Sequence, residues 1–584
     1  MKMQSDKNHL IHKPFLFFLL IFFSFQALCQ VFPARQYPKD YFIYPVEAKI
    51  GLAANFGELR PNHYHMGLDC RTDQVENKIV KAAADGYVAH IRVEPFGFGQ
   101  AIYINHPNGL TTLYGHVNSF FPALDEYVKE QQYKLKSWKV FLDIPPGMFP
   151  VKQGQFIAKS GNRGGSQGPH CHFEIRDTKT DKVLNPLLFG FPIADNVPPT
   201  IVRLAMYDRC LSTYSQTPKL FSLKKVTDGY ITTTSVIPVN TDKISFGISA
   251  NDKVSGSSNP NGIYEAILYL DGEAISGFRL DSISYDETRY LNAHIDYKTK
   301  AAGGPYIEHL SRLPGYPESV YKDIRGNGVI ELQDDSVHAV EIVVKDAYGN
   351  TSNLNFKIKK GIIRENANLA DSAAYYQEKE FHPWFVNVFE SEDLQLILNP
   401  GDLYDSLSFS HSEKNATSPN AYSNIYSVES GLVPVQNSFN IKIKVNKIVP
   451  AELQDKMLMK RTWGSKTDIV KAIRNGDWYT GSFREFGNFE LVADDEPPVI
   501  TGGFRDNANL SKSSQIIFIP KDNNDDVANF NATLDGNWLM FSNDKGRAFI
   551  YKFDEKCPPG NHELIISVND IAGNATQKIL HFIR

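Results

Sequence analysis

Two strings in this 584-residue chain resemble each other: Ala194-Asp195-Asn196-Val197-Pro198-Pro199 and Ala493-Asp494-Asp495-Glu496-Pro497-Pro498. A Pro pair keeps the preceding backbone extended and cannot continue a helix or a central strand. Each string therefore reads as a linker between packed units. Each is followed further on by a second shared pattern. After the first comes Val343-Val344-Lys345-Asp346-Ala347-Tyr348-Gly349-Asn350, and after the second Ser567-Val568-Asn569-Asp570-Ile571-Ala572-Gly573-Asn574. Both read as a strand, a tight Gly-Asn turn and a closing strand, such as Asn353 to Ile358 or Gln577 to Ile583. A softer boundary lies around Lys359 and Gly361, where a strand-like run gives way to polar sequence.

These closing hairpins resemble the last hairpin of immunoglobulin-like bacterial β-sandwich modules. The resemblance implies a β-sandwich over residues 195–361, with an insertion at Ala301 to Gly328, and an immunoglobulin-like β-sandwich over 494–584. Between them, 362–493 carries the period-two run Phe439 to Val445 and reads as a β-sandwich of uncertain kind. A short helix is expected at Lys466 to Ile473. The 28 Tyr and 38 Phe suit such β-rich modules.

The N-terminus has the pattern of an export signal. Lys2, Lys7 and Lys13 precede an apolar run from Phe15 to Phe25, then Ala27-Leu28-Cys29. Residues 1–29 are expected to be a signal peptide, too short in its apolar core to span a membrane. The chain is thus expected to be exported, periplasmic or extracellular, with no transmembrane segment in its mature form. A net charge of −5 without runs of like charge disfavours a nucleic-acid partner. Cys70, Cys171, Cys210 and Cys557 are too few for a disulfide scaffold.

Residues 30–194 differ from the rest. Short strand-like runs alternate with turns, and Asn108-Gly109 between two alternating runs signals a hairpin. Of 16 His, seven fall here, and five of these cluster in three tight places: His63 and His65, His116, and His170 and His172. In an extended His65-Met66-Gly67-Leu68-Asp69, an imidazole and a carboxylate share one face across a side-chain-free Gly67. Nitrogen and oxygen ligands so placed suit Zn²⁺, although a surface pair is the alternative. On a strand, His170 and His172 share a face and Cys171 points away, as metal ligands or as a hydrogen-bonded pair. His116 ends the hairpin strand.

Taken in order, His-x-Gly-x-Asp, Tyr114-Gly115-His116, Val151 to Asn162, and Gly168-Pro169-His170-Cys171-His172-Phe173-Glu174 resemble the lysostaphin-type zinc endopeptidases. The resemblance implies a small antiparallel β-sheet with a groove over a metal. It implies His65, Asp69 and His172 as Zn²⁺ ligands, with His63 as the rival, and His116 and His170 as the catalytic pair handling the proton of an attacking water. The expected architecture is mainly β: a small antiparallel zinc peptidase domain followed by about three β-sandwiches. The substrate that the resemblance implies is a peptidoglycan peptide, cut in cross-links or stem peptides, with wall or envelope proteins as partners of the sandwiches. The alternatives are a non-catalytic, wall-binding regulator that recruits another hydrolase, and an enzyme acting on secreted proteins.

Two departures from that family carry their own expectations. Cys70 and Cys171 stand where apolar residues are usual, either as small buried hydrophobes or as a disulfide formed after export. The stretch Ser119 to Pro150 is long. A helix beginning at Pro122 is expected there, flanking or covering the groove. The Gly-rich Ser160 to Gly168 lacks a Gly-Lys-Ser/Thr ending and is expected at the groove's edge.

Overall fold

The computed structural model describes residues 31–362 and 379–584, apart from Ala34, Glu318, Asp525, Asp526 and Arg547. The expected signal peptide lies outside the described residues. No described helix is long and apolar enough to cross a membrane.

The N-terminal unit is built on β1 (Leu52–Ala54), β2 (Leu68–Arg71), β3 (Gly86–Val93), β4 (Gln100–Asn105), β5 (Leu110–Gly115), α1 (Pro122–Leu135), β6 (Val140–Asp143) and β7 (His170–Asp177). The strands form one antiparallel sheet in the order β1-β2-β7-β5-β4-β3-β6. The Asn108-Gly109 turn joins β4 to β5 as expected, with Gly109 at φ 80° and Asn105 opposite Thr111. Side chains alternate on β7: Cys171, Phe173 and Ile175 enter the core, and His170, His172, Glu174 and Arg176 occupy the other face.

The register that matters pairs β7 with β2, putting Cys171 opposite Cys70 and His172 opposite Asp69. Both thiols are fully buried and free. Of the two readings, the disulfide is therefore absent and the buried apolar role holds. The two cysteines serve as small apolar groups beside Tyr44, and burial pushes the Cys70 thiol up to about 12.

The next unit contains β8 (Thr200–Asp208), β9 (Ile244–Asn251), β10 (Glu265–Leu270), β11 (Val337–Lys345) and β12 (Thr351–Lys360). A four-stranded sheet with β8 and β9 faces a larger one with β10, β11 and β12. Their shared core does not stop at residue 195. Phe56, Tyr64, Met66 and Val183 of the N-terminal unit belong to it, together with Phe246, Phe278, Leu280 and Ile342. Hydrogen bonds cross the same seam: Asn55 exchanges two with the Gly262 backbone, and the Tyr64 amide donates to Thr288.

The third unit holds β13 (Pro434–Lys444), β14 (Met457–Trp463), β15 (Lys466–Lys471), β16 (Trp478–Glu485) and β17 (Gly487–Ala493), in two five-stranded sheets around one core. The helix expected at Lys466 to Ile473 is strand β15. It folds back on β14 through Gly464, at φ 58°, with Trp463 opposite Lys466. Its β-branched Thr467, Ile469 and Val470 favour the extended form.

The last unit comprises β18 (Val499–Gly502), β19 (Gln515–Lys521), β20 (Val527–Leu534), β21 (Asn561–Asp570) and β22 (Ala575–Ile583). It returns to touch the first. Lys129 of α1 pairs with Asp554 at 2.8 Å and Glu555 at 2.9 Å, and Tyr133 meets the Trp538 ring edge-on. The helix expected to flank or cover the groove is present, but none of its residues lines the groove, and it docks the last unit.

Candidate active site

His65 does not sit on a strand. It lies between the short strand His63–Tyr64 and β2, so the expected extended run from 65 to 69 is broken. Its neighbours Tyr64 and Met66 are anchored in the core of the second unit, which turns the imidazole toward β7. Gly67 makes room for protein here. A Cβ there would lie 2.5 Å from the Phe173 carbonyl oxygen and 2.9 Å from the His172 ring.

Three donor atoms converge. His65 Nε2 lies 2.9 Å from Asp69 Oδ1 and 3.1 Å from His172 Nδ1, and the latter two are 3.0 Å apart. Ligand atoms about 2.0–2.1 Å from a tetrahedral zinc would be ~3.3 Å apart, so the cluster fits Zn²⁺ with little adjustment. All three residues are buried. His63 is outside this group: it is exposed, and its Nδ1 bonds the Pro61 carbonyl.

Each imidazole's tautomer follows from its other nitrogen. His65 Nδ1 lies 2.7 Å from the Asn55 carbonyl, which can only accept, so Nε2 keeps its lone pair. His172 Nε2 donates to Glu174 Oε1 at 2.9 Å, leaving Nδ1 for the cluster. Glu174 is fully buried and bound by Arg176 and by the hydroxyl of Tyr285, which donates to Oε1 at 2.5 Å. Burial alone would raise the Glu174 pKa, but Arg176 and then His172 pull it down to about 2. Burial would lower His172, yet its bonds to Asp69 and Glu174 raise it to about 9. Asp69 is buried, but His65, His170 and His172 hold it well below the usual carboxylate range.

His116 and His170 face each other beside the cluster, with ring centroids 4.8 Å apart. His116 Nδ1 donates to the Arg163 carbonyl at 2.8 Å, which leaves Nε2 as an acceptor. Burial and the neighbouring His170 and His172 push its pKa down to about 3, so it is neutral at pH 7. His170 Nδ1 donates to the Gly168 carbonyl at 2.8 Å, and its Nε2 lies 3.3 Å from Asp69.

These groups line an open groove of about 1080 Å³, together with Arg60, Arg92, Phe98, Gly165 to Gly168, and Tyr285. The Gly-rich segment forms its rim, as expected. Gly164 packs against Gly99 so closely that a Cβ would lie 2.3 Å from the Gly99 nitrogen. The last unit holds this rim. Asp544 accepts from the Gly164 amide at 2.9 Å, and Lys545 Nζ donates to the Ser166 carbonyl at 2.5 Å.

A family model described as Peptidase family M23 matches residues 63–133, a span that contains His65, Asp69 and His116. The chain carries an M23 peptidase domain. The chain is 29% identical, over 128 residues, to the DD-carboxypeptidase/endopeptidase Mpg of Neisseria meningitidis, covering 22% of this chain and 23% of the relative. An uncharacterized metalloprotease of Haemophilus influenzae is 28% identical over 163 residues, covering 26% of this chain and 28% of that one. The chain thus spans about a quarter of the length of the curated relatives it matches. Among solved structures, the catalytic domain of lysostaphin from Staphylococcus simulans aligns at 20% identity with TM-score 0.18, over 24% of this chain and 91% of the other. A second family model, the Zu5-like domain, matches residues 378–494.

Sequence reasoning missed the support behind the M23 cluster. Alternation along β7 was enough to place Glu174 and Arg176 on the face of His170 and His172. Tyr285 had no local signal, because it arrives from the second unit.

Proposed function

We propose that the chain is a zinc metallo-endopeptidase of the cell envelope that hydrolyses peptide bonds in peptidoglycan cross-links or stem peptides. The observation that carries this reading is the convergence of His65 Nε2, Asp69 Oδ1 and His172 Nδ1 within 3.1 Å, beside two further imidazoles at an open groove. Three protein donors are the number that leaves a catalytic zinc one open position. Held there, zinc supplies Lewis-acid polarisation of a scissile carbonyl and a nucleophilic water near neutral pH.

The protein's own residues handle positions and protons. The Nδ1 bond of His116 to the Arg163 carbonyl fixes Nε2 as an acceptor at the groove, so it is suited to orient the attacking water. His170, steadied by Gly168, is suited to stabilise the developing oxyanion and return a proton to the leaving amine. Phe98 and Tyr285 give the groove apolar walls, and Arg60 and Arg92, paired with Glu58, Asp69 and Glu94, give it polar ones. An extended peptide suits such a groove.

The test is mass spectrometry of purified peptidoglycan incubated with the chain, with a chelator-treated sample and a His170→Ala variant in parallel. New termini are expected with the unsubstituted chain alone, each fragment pair gaining one water. A chain that binds peptidoglycan yet leaves every peptide intact contradicts the proposal and supports the recruiting, non-catalytic reading.

A further inference from the structure

Two groups of carboxylates remain that the M23 site does not use, and they occupy equivalent places. Asp195, Asp252 and Asp346 offer oxygens within 4.8 Å of one another, and so do Asp494, Asp522 and Asp570. The first Asp of each group stands three residues before a Pro pair's first member, and the second directly follows a strand, β9 or β19. The third opens the Gly-Asn turn after β11 or closes β21. The backbone register repeats as well: Thr200 pairs with Asn251 at the first junction, and Val499 with Lys521 at the second. Ser352 donates to the Pro199 carbonyl, and Thr576 donates to that of Pro498.

We infer that each junction is a calcium site, holding one ion between the linker Asp, the strand-end Asp and the hairpin-turn Asp. The clusters alone would not carry this, since acidic groups gather at turns for many reasons. The decisive observation is the state of individual oxygens. Asp252 is 4% exposed and Asp494 1% exposed, yet Asp252 Oδ1 and Asp494 Oδ2 are buried with no hydrogen-bond partner among the described residues. Asp195 Oδ2 and Asp522 Oδ1 are orphaned in the same way. A buried carboxylate oxygen without a donor is costly, and here there are two in each of two matching places.

The expected compensation by protein cations is missing. Among the described residues, no Lys, Arg or His nitrogen comes within 4.0 Å of any of the six carboxylates. Asn350 and Asn574 each donate from backbone and side chain to Asp346 and Asp570. Amides of Val197, Ser255, Glu496, Asn523 and Asn524 reach one oxygen of Asp195, Asp494 or Asp522, so in each cluster one oxygen of the linker Asp and one of the strand-end Asp stay without a donor. Burial, then the charges of Asp346 and Asp195, push Asp252 up to about 7.

A hard dication accepts an all-oxygen set at 2.3–2.6 Å and tolerates mixed one- and two-oxygen carboxylate binding. Mg²⁺ demands stricter octahedral geometry and keeps more of its water, so calcium is the better match to a junction built from three separate segments. Bound there, the ion ties each Pro-Pro linker to the unit that follows it. At the second junction it would also fix the unit that grips the groove rim through Asp544 and Lys545.

The test is equilibrium dialysis of the full chain, passed through a calcium-free buffer, against radioactive calcium. Two ions per chain are expected, with affinities of about 10⁻⁴–10⁻³ M, as for extracellular calcium modules. Asp252→Asn and Asp570→Asn should each reduce two bound ions to one. At a hundredfold excess over Kd, calcium should raise the unfolding temperature of the unsubstituted chain by about 5 °C. Because either variant could misfold, the unsubstituted chain decides alone. A binding curve that levels off at one ion or none, followed to ~10 mM calcium, overturns the inference. So does binding of two ions by both variants.

Discussion

Tyr285, on the second unit, donates a hydrogen bond of 2.5 Å to Glu174, the carboxylate that holds His172 in place. The cluster of His65, Asp69 and His172 is therefore supported from outside the N-terminal unit. Tyr285→Phe removes the donor and keeps the ring. Supporting residues of this kind typically change metal affinity or activity by 10–100-fold. A loss in that range is expected in zinc affinity, measured by competition with a chromophoric chelator, with stability lowered by about 1–3 kcal/mol. Unchanged zinc affinity would show that Glu174 needs only Arg176.

The N-terminal unit should not fold alone. Phe56, Tyr64 and Met66 are buried in the neighbouring core, and each contributes about 1.5–3 kcal/mol when fully buried. Residues 31–194 expressed alone are expected to lack near-ultraviolet circular dichroism and to aggregate, whereas 31–361 should be soluble and cooperative. A well-folded 31–194 fragment would contradict the shared core.

How far this arrangement could be read beforehand depends on the range of the forces involved. Strand alternation is local, so the shared face of His170 and His172 and the hairpin at Asn108-Gly109 were legible. The pairing of His172 with Asp69 needs a register between distant strands and came only through the motif's resemblance. The 65–69 segment was misjudged because tertiary anchoring of Tyr64 and Met66 overrides the local extended pattern. Likewise β15 was taken for a helix, since Lys466 to Ile473 is short and its hairpin depends on Gly464. Tyr285 and the grip of Lys545 on the rim are contacts between distant units and leave no trace in spacing.

Gly67 should tolerate no side chain. In Gly67→Ala the new methyl meets the Phe173 carbonyl at 2.5 Å and the His172 ring at 2.9 Å. Overpacking of this kind costs about 1–3 kcal/mol. The expected result is a lower unfolding temperature together with weaker zinc binding, read by calorimetry. Wild-type zinc affinity in this variant would mean that the ring does not need its present position.

Zinc binding should release a proton. Without the ion, His172 is raised to about 9 from an ordinary value near 6.5. The stability this gives is full below about 6.5 and is lost as pH rises through about 9. Zinc needs the Nδ1 lone pair while Nε2–H stays on Glu174, so about one proton must leave at pH 7. Calorimetry in buffers of different ionisation enthalpy should report that proton, and apparent affinity should fall as pH drops below about 9. No buffer dependence at pH 7 would contradict the assignment of His172.

The most direct measurement titrates zinc into the metal-free chain and follows cleavage of a cross-linked peptidoglycan dimer. Product formation should rise linearly with zinc, level off at one equivalent, and be absent at every zinc level in His172→Ala. Cleavage that ignores zinc, or that persists in His172→Ala, would show that the cluster of His65, Asp69 and His172 is not the catalytic centre.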